Sequence, residues 1–533
     1  MELRLHSYPM PIEMSDTVAD AQIEGLPRNE ASPSRLASVV GRMLFAIYAL
    51  AVAVSVSVWF VAIRAPLWLD ETHSFFVIKA GFSKIYSRMA WPIVPVYPYI
   101  LWLGSKALGT SEIALRIPSI LAMLGAVCLL YRAAHELFDR DIAVIATVVF
   151  CLHPIVIFAA IDVRPYAFAA LAINASILVL VHLRHNNSNW LAALFGVLAA
   201  GIGHLQFLFT VILPALAICF VAVKNGDRKA LWRQGSIALA AFTLVFLPVI
   251  PVLQAMFHTR GTHVFDDAPK WADLWWTLAP EWLAYIFVGT VLVAAATRRL
   301  DLQKRFDGWC TLLCALSAFI PILILYGVSV ETSIHVFVPR YRLVAVPGTA
   351  LCWAWLVNRI DSRALRSLFC VVVVASVAYP YFNSPVARLH GYTWKYALES
   401  AEKSASVDSA PVLICSDFPE ADVEPIPVGA AVKDSGLFAP LTYYGLSVPV
   451  VGLPRALNGD AMGIVSTFLQ APARRQQRFL AMGFVASYET LHFIESIASR
   501  THNERVLGTF DGIVVLEFTP RQLDRSSGAD AIR

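Results

Sequence analysis

Apolar runs of about twenty residues recur along this chain, and they restrict its fold more than any other feature. A helix of ~20 apolar residues is what crosses the ~30 Å hydrocarbon core of a bilayer. Such runs lie near 43–63, 113–131, 142–161, 167–183, 190–207, 207–223, 235–254, 283–297, 309–329, 343–357 and 367–382, which predicts about eleven spans. Composition agrees: 58% of the residues are hydrophobic and 15% are charged, against ~25% charged in soluble domains. Such a chain must face lipid over most of its length, and nothing in it points to nucleic acid. Seven of the eight cysteines sit in apolar runs, Cys415 being the exception. They read as small buried hydrophobes, since no His or carboxylate joins Cys310 and Cys314 at zinc-ligand spacing.

Lys and Arg set the expected orientation. Alternate short loops carry Arg132, Arg140, Arg184, Lys224 and the basic groups within 228–233, 298–305 and 359–366. The opposite set carries only Arg164, Arg260, Lys270, Arg340 and Arg342. The first set is therefore expected in the cytoplasm, with the N-terminus inside and the C-terminal region outside. Residues 1–41 are polar, lack a signal-peptide core and read as a disordered cytoplasmic tail. Residues 42–390 hold the spans, with a large first outer loop at 64–112. Within that loop, 93–108 is apolar but short and broken by Pro95 and Pro98, so it is read as interfacial rather than crossing. Polar residues return from about 391. Short β-type runs at 411–415, 448–452 and 512–517, with helix-like stretches near 461–481 and 487–500, predict an outer α/β domain over 391–520, followed by a tail at 521–533. The expected fold is mainly α: a polytopic transmembrane helical bundle with a small C-terminal extracytoplasmic α/β domain, in the plasma (inner) membrane.

Four polar clusters fall on the outer side by the parity of spans. The first is Trp68-Leu69-Asp70-Glu71-Thr72-His73. Its paired carboxylates suit a general base with a metal-binding or hydrogen-bonding partner, or an interfacial helix cap with solvated charges. The second is Asp162-Val163-Arg164-Pro165-Tyr166. Pro165 can open a helix, which would put Arg164 near a positive helix end, a place that suits phosphate. The alternative is an Asp162–Arg164 surface ion pair, worth ~0–1 kcal/mol. The third is His204, read as an interfacial hydrogen-bonding residue ahead of a catalyst. The fourth is Pro339-Arg340-Tyr341-Arg342, where two Arg oppose the positive-inside trend and suit either an anionic partner or lipid headgroups. The loop 255–282 adds His258, His263, Asp266, Asp267, Trp271, Trp275 and Trp276, with the tryptophans read as interface anchors before sugar-stacking platforms.

The first cluster, with Ser111-Glu112-Ile-Ala-Leu-Arg116-Ile-Pro118, Asp162-Val-Arg164-Pro165-Tyr166-Ala167 and Pro339-Arg340-Tyr341, resembles the GT-C membrane glycosyltransferases of family 39 over roughly 43–350. That family includes protein O-mannosyltransferases and aminoarabinose transferases. One element departs from it: Val94-Pro95-Val96-Tyr97-Pro98-Tyr99 lacks the His found in bacterial relatives. The resemblance implies an inverting enzyme that moves a sugar from a polyprenyl-phosphate donor to a lipid, glycan or protein acceptor at the outer face. It implies catalytic roles for Asp70 and Glu71 and donor-phosphate binding by Arg164, Arg340 and Tyr341. His73, Asp162, Tyr166 and His204 would support them, and Glu71 with His73 are the candidates to hold a divalent cation. A transporter or flippase of lipid-linked sugars is the rival reading. It would place charge near the midplane of the spans, whereas here the charge collects at their rims, with His153-Pro154 the chief polar interruption.

Overall fold

The computed structural model describes residues 35–89, 96–224, 226–258, 268–301, 303, 307–383, 394–471 and 476–521. The chain divides at Ala46, and Ile47–Arg533 holds the sheet and the site described below. Residues 1–34 and 522–533, the Val94-Pro95 stretch, His263, Asp266 and Asp267 lie outside the described residues. The helix Arg35–Ser57 starts within the expected 1–41 tail.

The protein is a multi-pass membrane protein. Among the described residues, six helices are long and apolar enough to cross a bilayer: Arg42–Ala62, Glu112–Leu137, Tyr166–His185, Arg228–Gln254, Gly308–Glu331 and Arg363–Asn383. Two bent pairs, Arg140–Leu152 with Pro154–Ile161 and Trp271–Leu278 with Glu281–Ala296, raise the number to eight if each is one span. The eleven expected spans are therefore not confirmed. The runs near 190–207 and 207–223 form the shorter helices Asn189–Leu205 and Phe207–Val223. The run at 343–357 is divided between a 3-10 turn, Leu343–Ala345, and the helix Val346–Val357. The expected single helix at 142–161 bends by 69° at His153. Pro154 cannot continue the helical ladder, and the His153 ring accepts from the Ile155 N–H at 3.3 Å to cap the new segment.

Burial separates the centre of the bundle from its rim: 72% of the apolar window in Tyr166–His185 is buried, against 11% in Arg228–Gln254. With no water to drive association in lipid, membrane helices rely on close packing of small residues. A Cβ on Gly196 would stand 2.1 Å from the Ala238 carbonyl oxygen, so Asn189–Leu205 and Arg228–Phe246 touch backbone to backbone. Gly348 likewise admits the Ser317 backbone, whose carbonyl carbon would lie 2.3 Å from an added Cβ.

The C-terminal layer is a five-stranded sheet of order β2-β1-β3-β5-β4. Its strands are β1 (Val412–Cys415), β2 (Val450–Leu453), β3 (Phe479–Phe484), β4 (His502–Phe510) and β5 (Ile513–Pro520). β2, β1 and β3 run parallel, and β5 and β4 complete an antiparallel edge. The alternating side chains of β1 serve two cores. Leu413 and Cys415 join the helices Gly459–Gln470 and Tyr488–Ala498. Val412 and Ile414 join Trp394, Leu398, Phe76, Val77 and Ile85. The second core is shared with the segment after the first span, so the sheet clamps the helix Leu69–Lys79. The expected helix over 461–481 ends at Gln470, and its last residues are strand. Phe479-Leu-Ala-Met-Gly-Phe484 has no polar alternation because β3 lies between β1 and β5 and is buried on both faces.

The segment 93–108, as far as it is described, is the 13-residue helix Val96–Leu108, about 20 Å long at ~1.5 Å per residue. It is held between two partners. Tyr97 and Leu101 pack with Leu67, Leu115 and Val163, while Tyr99 and Trp102 pack against the sheet-side core.

Ala at Gly196 or Gly348 must push a neighbouring helix away. Each substitution should destabilise the protein by ~1–3 kcal/mol, read as a lower thermal unfolding midpoint in detergent. Gly201→Ala, with nothing within 4 Å of its added Cβ, should show no such loss.

Candidate active site

Asp70 and Glu71 open the helix Leu69–Lys79, where negative charge is favoured by the helix dipole. Consecutive residues diverge around a helix, and these two go to different places. Glu71 turns inward. Its carboxylate and the Arg116 guanidinium are both fully buried and paired through two bonds, Nη2 to Oε2 at 2.7 Å and Nε to Oε1 at 3.2 Å. Glu71 also accepts from the Trp68 N–H at 3.1 Å and the Val163 N–H at 3.0 Å. Arg116 donates to the carbonyls of Ile63, Ala65 and Pro66. One ion pair thus joins the end of the first span, the start of the helix Leu69–Lys79, the span Glu112–Leu137 and the 162–163 turn.

Asp70 turns toward a partly open rim. Its Oδ2 lies 3.3 Å from Arg340 Nη1 and 3.8 Å from Arg164 Nη2. The side chains of Asp70, Arg164 and Arg340 are 19%, 18% and 27% exposed, so solvent reaches all three. Residues 270 positions apart in sequence meet here. The Nε atoms of both arginines and the Tyr166 hydroxyl are buried and have no hydrogen-bond partner among the described residues. Tyr341 lies beside them, its ring 5.4 Å from the Arg340 guanidinium and 6.4 Å from the Tyr166 ring. Burial works against the charge on Arg164, but Asp70 holds its pKa above the ordinary value. The site is a pair of guanidiniums with unused donors around a single carboxylate. Such an arrangement can take an oxyanion such as phosphate.

Residues 92–254 match the family described as dolichyl-phosphate-mannose-protein mannosyltransferase. The fold is similar to that of ArnT from Cupriavidus metallidurans bound to undecaprenyl phosphate, with a TM-score of 0.51 and 11% identity over 88% of this chain and 97% of that one. It is similar to the same protein in the apo state, at 0.51 and 11% over 90% and 98%. The arabinofuranosyltransferase AftD from Mycobacteria scores 0.48 at 16% identity, over 90% of this chain and 40% of that one. No curated protein matches the sequence. The chain resembles the GT-C membrane glycosyltransferases. The likeness to ArnT is one of fold.

Several expected site residues stand elsewhere in this GT-C-like frame. Asp162 does not pair with Arg164, which turns to Asp70 instead. Its Oδ1 accepts from Trp68 Nε1 at 3.0 Å, its carbonyl accepts from Ser119 Oγ at 2.7 Å, and Oδ2 has no partner among the described residues. Burial, reinforced by the charge of Glu71, pushes the Asp162 carboxyl well above the usual carboxylate range. His204 is not brought to the cluster but meets the Val245 carbonyl at 2.6 Å, tying two helices together. Arg342 points away from the site. It donates to the Asp273 carbonyl and Thr277 Oγ1 at 3.0 Å, with Trp276 and Phe337 against its guanidinium, and so anchors the tryptophan-bearing helix Trp271–Leu278.

The expected cation site at Glu71 and His73 finds no support in the geometry. Both Glu71 oxygens are engaged, and among the described residues no group of three His, Cys, Asp or Glu side chains could hold a metal ion. His73 faces the C-terminal layer between Phe76 and Phe418. Burial, with Arg164 adding to it, pushes its pKa down to about 3, so the ring is neutral. Asp417 is a carboxylate near the site that sequence reasoning did not single out. Its charge interacts with that of Asp70. The available signal was its place just after an apolar run that forms β1, since parallel sheets collect ligand groups at the carboxyl ends of their strands.

Removing one partner of a fully buried ion pair strands the other, at a cost of ~3–5 kcal/mol. Glu71→Ala and Arg116→Ala should each sharply lower the thermal midpoint and the yield of folded protein in detergent. Asp70→Asn, at the open rim, should leave both near wild type.

Proposed function

We propose that the protein is an inverting glycosyltransferase that moves a sugar from a polyprenyl-phosphate donor to a hydroxyl-bearing acceptor at the outer membrane face. The observation that carries this reading is the meeting of Asp70, Arg164 and Arg340 at one partly open rim. The arginine pair offers the leaving phosphate two charged hydrogen-bonding groups, with Tyr341 and Tyr166 beside them. The carboxylate between them is placed to take a proton. In the transfer, the acceptor oxygen bonds to the anomeric carbon and the bond from that carbon to the phosphate oxygen breaks. The acceptor proton passes to Asp70, and polyprenyl phosphate leaves with its charge on the arginines. An ordinary carboxylate is a weak base, but the acceptor hydroxyl becomes acidic as the new bond forms.

The reading draws further support from the ArnT structure, whose bound ligand is undecaprenyl phosphate. An outer-facing C-terminal layer and a cytoplasmic N-terminus belong to the same proposal, on the distribution of Lys and Arg. Glu71 then acts on the chemistry through position: it fixes the helix that carries Asp70 and touches no substrate. A transporter of lipid-linked sugars would not need a carboxylate held between two rim arginines, and it would release no free polyprenyl phosphate.

Membranes that hold the protein and supply the acceptor, given radiolabelled undecaprenyl-phosphate sugars, should release undecaprenyl phosphate, and Asp70→Asn should abolish this while retaining undecaprenyl phosphate binding. Near-normal turnover by Asp70→Asn would sink the assignment. A hydrogen bond to a charged group contributes ~1.5–3 kcal/mol, so Arg164→Ala and Arg340→Ala should each weaken undecaprenyl phosphate binding roughly 10- to 100-fold.

A further inference from the structure

We propose that Asp417, carried by the C-terminal α/β layer, is a second carboxylate of the transfer site that holds the acceptor by a hydrogen bond while Asp70 takes its proton. This assignment rests on the glycosyltransferase reading above and adds a positioning residue from a part of the chain outside the matched family segment.

Five observations converge on it. Asp417 follows β1 by two residues, at the carboxyl end of the middle strand of the parallel set β2-β1-β3. The turn that carries it is pinned: Ser416 Oγ donates to the Leu437 carbonyl at 2.7 Å and accepts from the Phe418 N–H at 3.2 Å. The ring of Phe418 packs edge-on against His73 of the Asp70 helix at 5.6 Å. Asp417 and Leu69, the neighbour of Asp70, line one small cavity. Finally, the Asp417 side chain makes no hydrogen bond or ion pair among the described residues, although most of it is removed from water. Burying a carboxylate without partners costs stability, and such groups concentrate at functional sites.

An approach for the acceptor adjoins this point. A groove of about 410 Å³ runs between the outer-loop helices and the C-terminal layer, with His73, Phe76, Arg88, Asp434 and Gly436 in its walls. It shares Leu437 with the cavity that Asp417 lines. Its mixed wall of ion pair and aromatic ring suits a polar, hydroxyl-bearing head group. In the transfer Asp417 forms and breaks no covalent bond. Its ionised carboxylate accepts a hydrogen bond from the acceptor and fixes the attacking oxygen in line with the bond that breaks.

The charged groups acting on Asp417 are Arg455, which favours its ionised form, and Asp70, which opposes it. Burial is the larger effect, and the carboxyl is pushed up to about 7. A role that needs the ionised form gives transfer a limb that rises with pH through neutrality. A purely structural role would not.

The test uses full-length protein re-expressed in membranes of a deletion strain of the source cells, which supply the acceptor, with radiolabelled undecaprenyl-phosphate sugars as donors. Relative to wild type, Asp417→Asn should bind undecaprenyl phosphate within about twofold yet transfer label about tenfold less or worse, as loss of a charged hydrogen bond predicts. It should also lack the limb near neutrality. Transfer above half of wild type, a parallel loss of undecaprenyl phosphate binding, or an unchanged limb overturns the assignment. If Asp417→Asn fails to accumulate, Asp417→Glu decides: it must keep a rising limb, and loss of that limb with donor binding intact overturns the proposal. Absence of transfer by wild type would remove the glycosyltransferase reading and this assignment together, whereas active wild type with active Asp417→Asn removes the assignment alone.

Discussion

The arrangement of the candidate site depends on one buried ion pair, Glu71 with Arg116. Two charges taken out of water carry a large desolvation cost, and their attraction offsets it only when every remaining donor and acceptor is satisfied. Here that condition is nearly met. Three backbone carbonyls surround the guanidinium, and two backbone N–H groups complete the carboxylate. Those five groups come from two stretches, 63–68 and the turn at Val163, and the two charges from the helices Leu69–Lys79 and Glu112–Leu137, so the pair is satisfied only when all of them are in register. Its worth lies in that geometric demand more than in net stability. The neighbouring residue, Asp70, is then carried to the rim at a fixed angle on a fixed helix.

From that point outward the structure alternates pinned and open groups. Arg342 is pinned to Asp273 and Thr277, while Arg340, two residues earlier, reaches Asp70 at the rim. Asp162 is pinned by Trp68, while Arg164, two residues later, joins the same rim. In each motif one charged residue holds the frame and the other faces the open side. The C-terminal layer closes the back of this frame through Phe76 and Val77, so the helix bearing Asp70 is held from both sides.

Much of this was legible in the amino-acid sequence, and the remainder failed for identifiable reasons. Hydropathy marked the long apolar helices well, but it could not see the breaks that Pro154 and the 3-10 turn at Leu343–Ala345 introduce into apolar runs. Parity of spans placed Asp70, Arg164 and Arg340 on one side, and they do meet. The same parity placed His204 there, yet its ring is taken by the Val245 carbonyl. Parity assigns a side of the membrane and is silent on distance within it. Which of two adjacent acids would be the buried one was also hidden, because Arg116 lies 45 residues from Glu71. Asp417 was missed for a similar reason: its relation to Asp70 exists only once the sheet docks on the outer loop.

The ion pairs around Asp70 pose a problem that the proposed chemistry must answer. The Asp70 carboxylate accepts a hydrogen bond from Arg340 and faces Arg164, so the oxygen that must receive the acceptor proton is already engaged. A donor phosphate changes that balance. It carries more negative charge than a carboxylate and presents several oxygens, and each arginine still has a buried Nε without a partner among the described residues. The phosphate would draw both guanidiniums onto itself. The Asp70 carboxylate would then be open to the acceptor hydroxyl only when donor is bound. On this argument the contacts of Asp70 with Arg164 and Arg340 are the resting arrangement of the site, and coupling between donor binding and proton acceptance follows from competition for the same two cations.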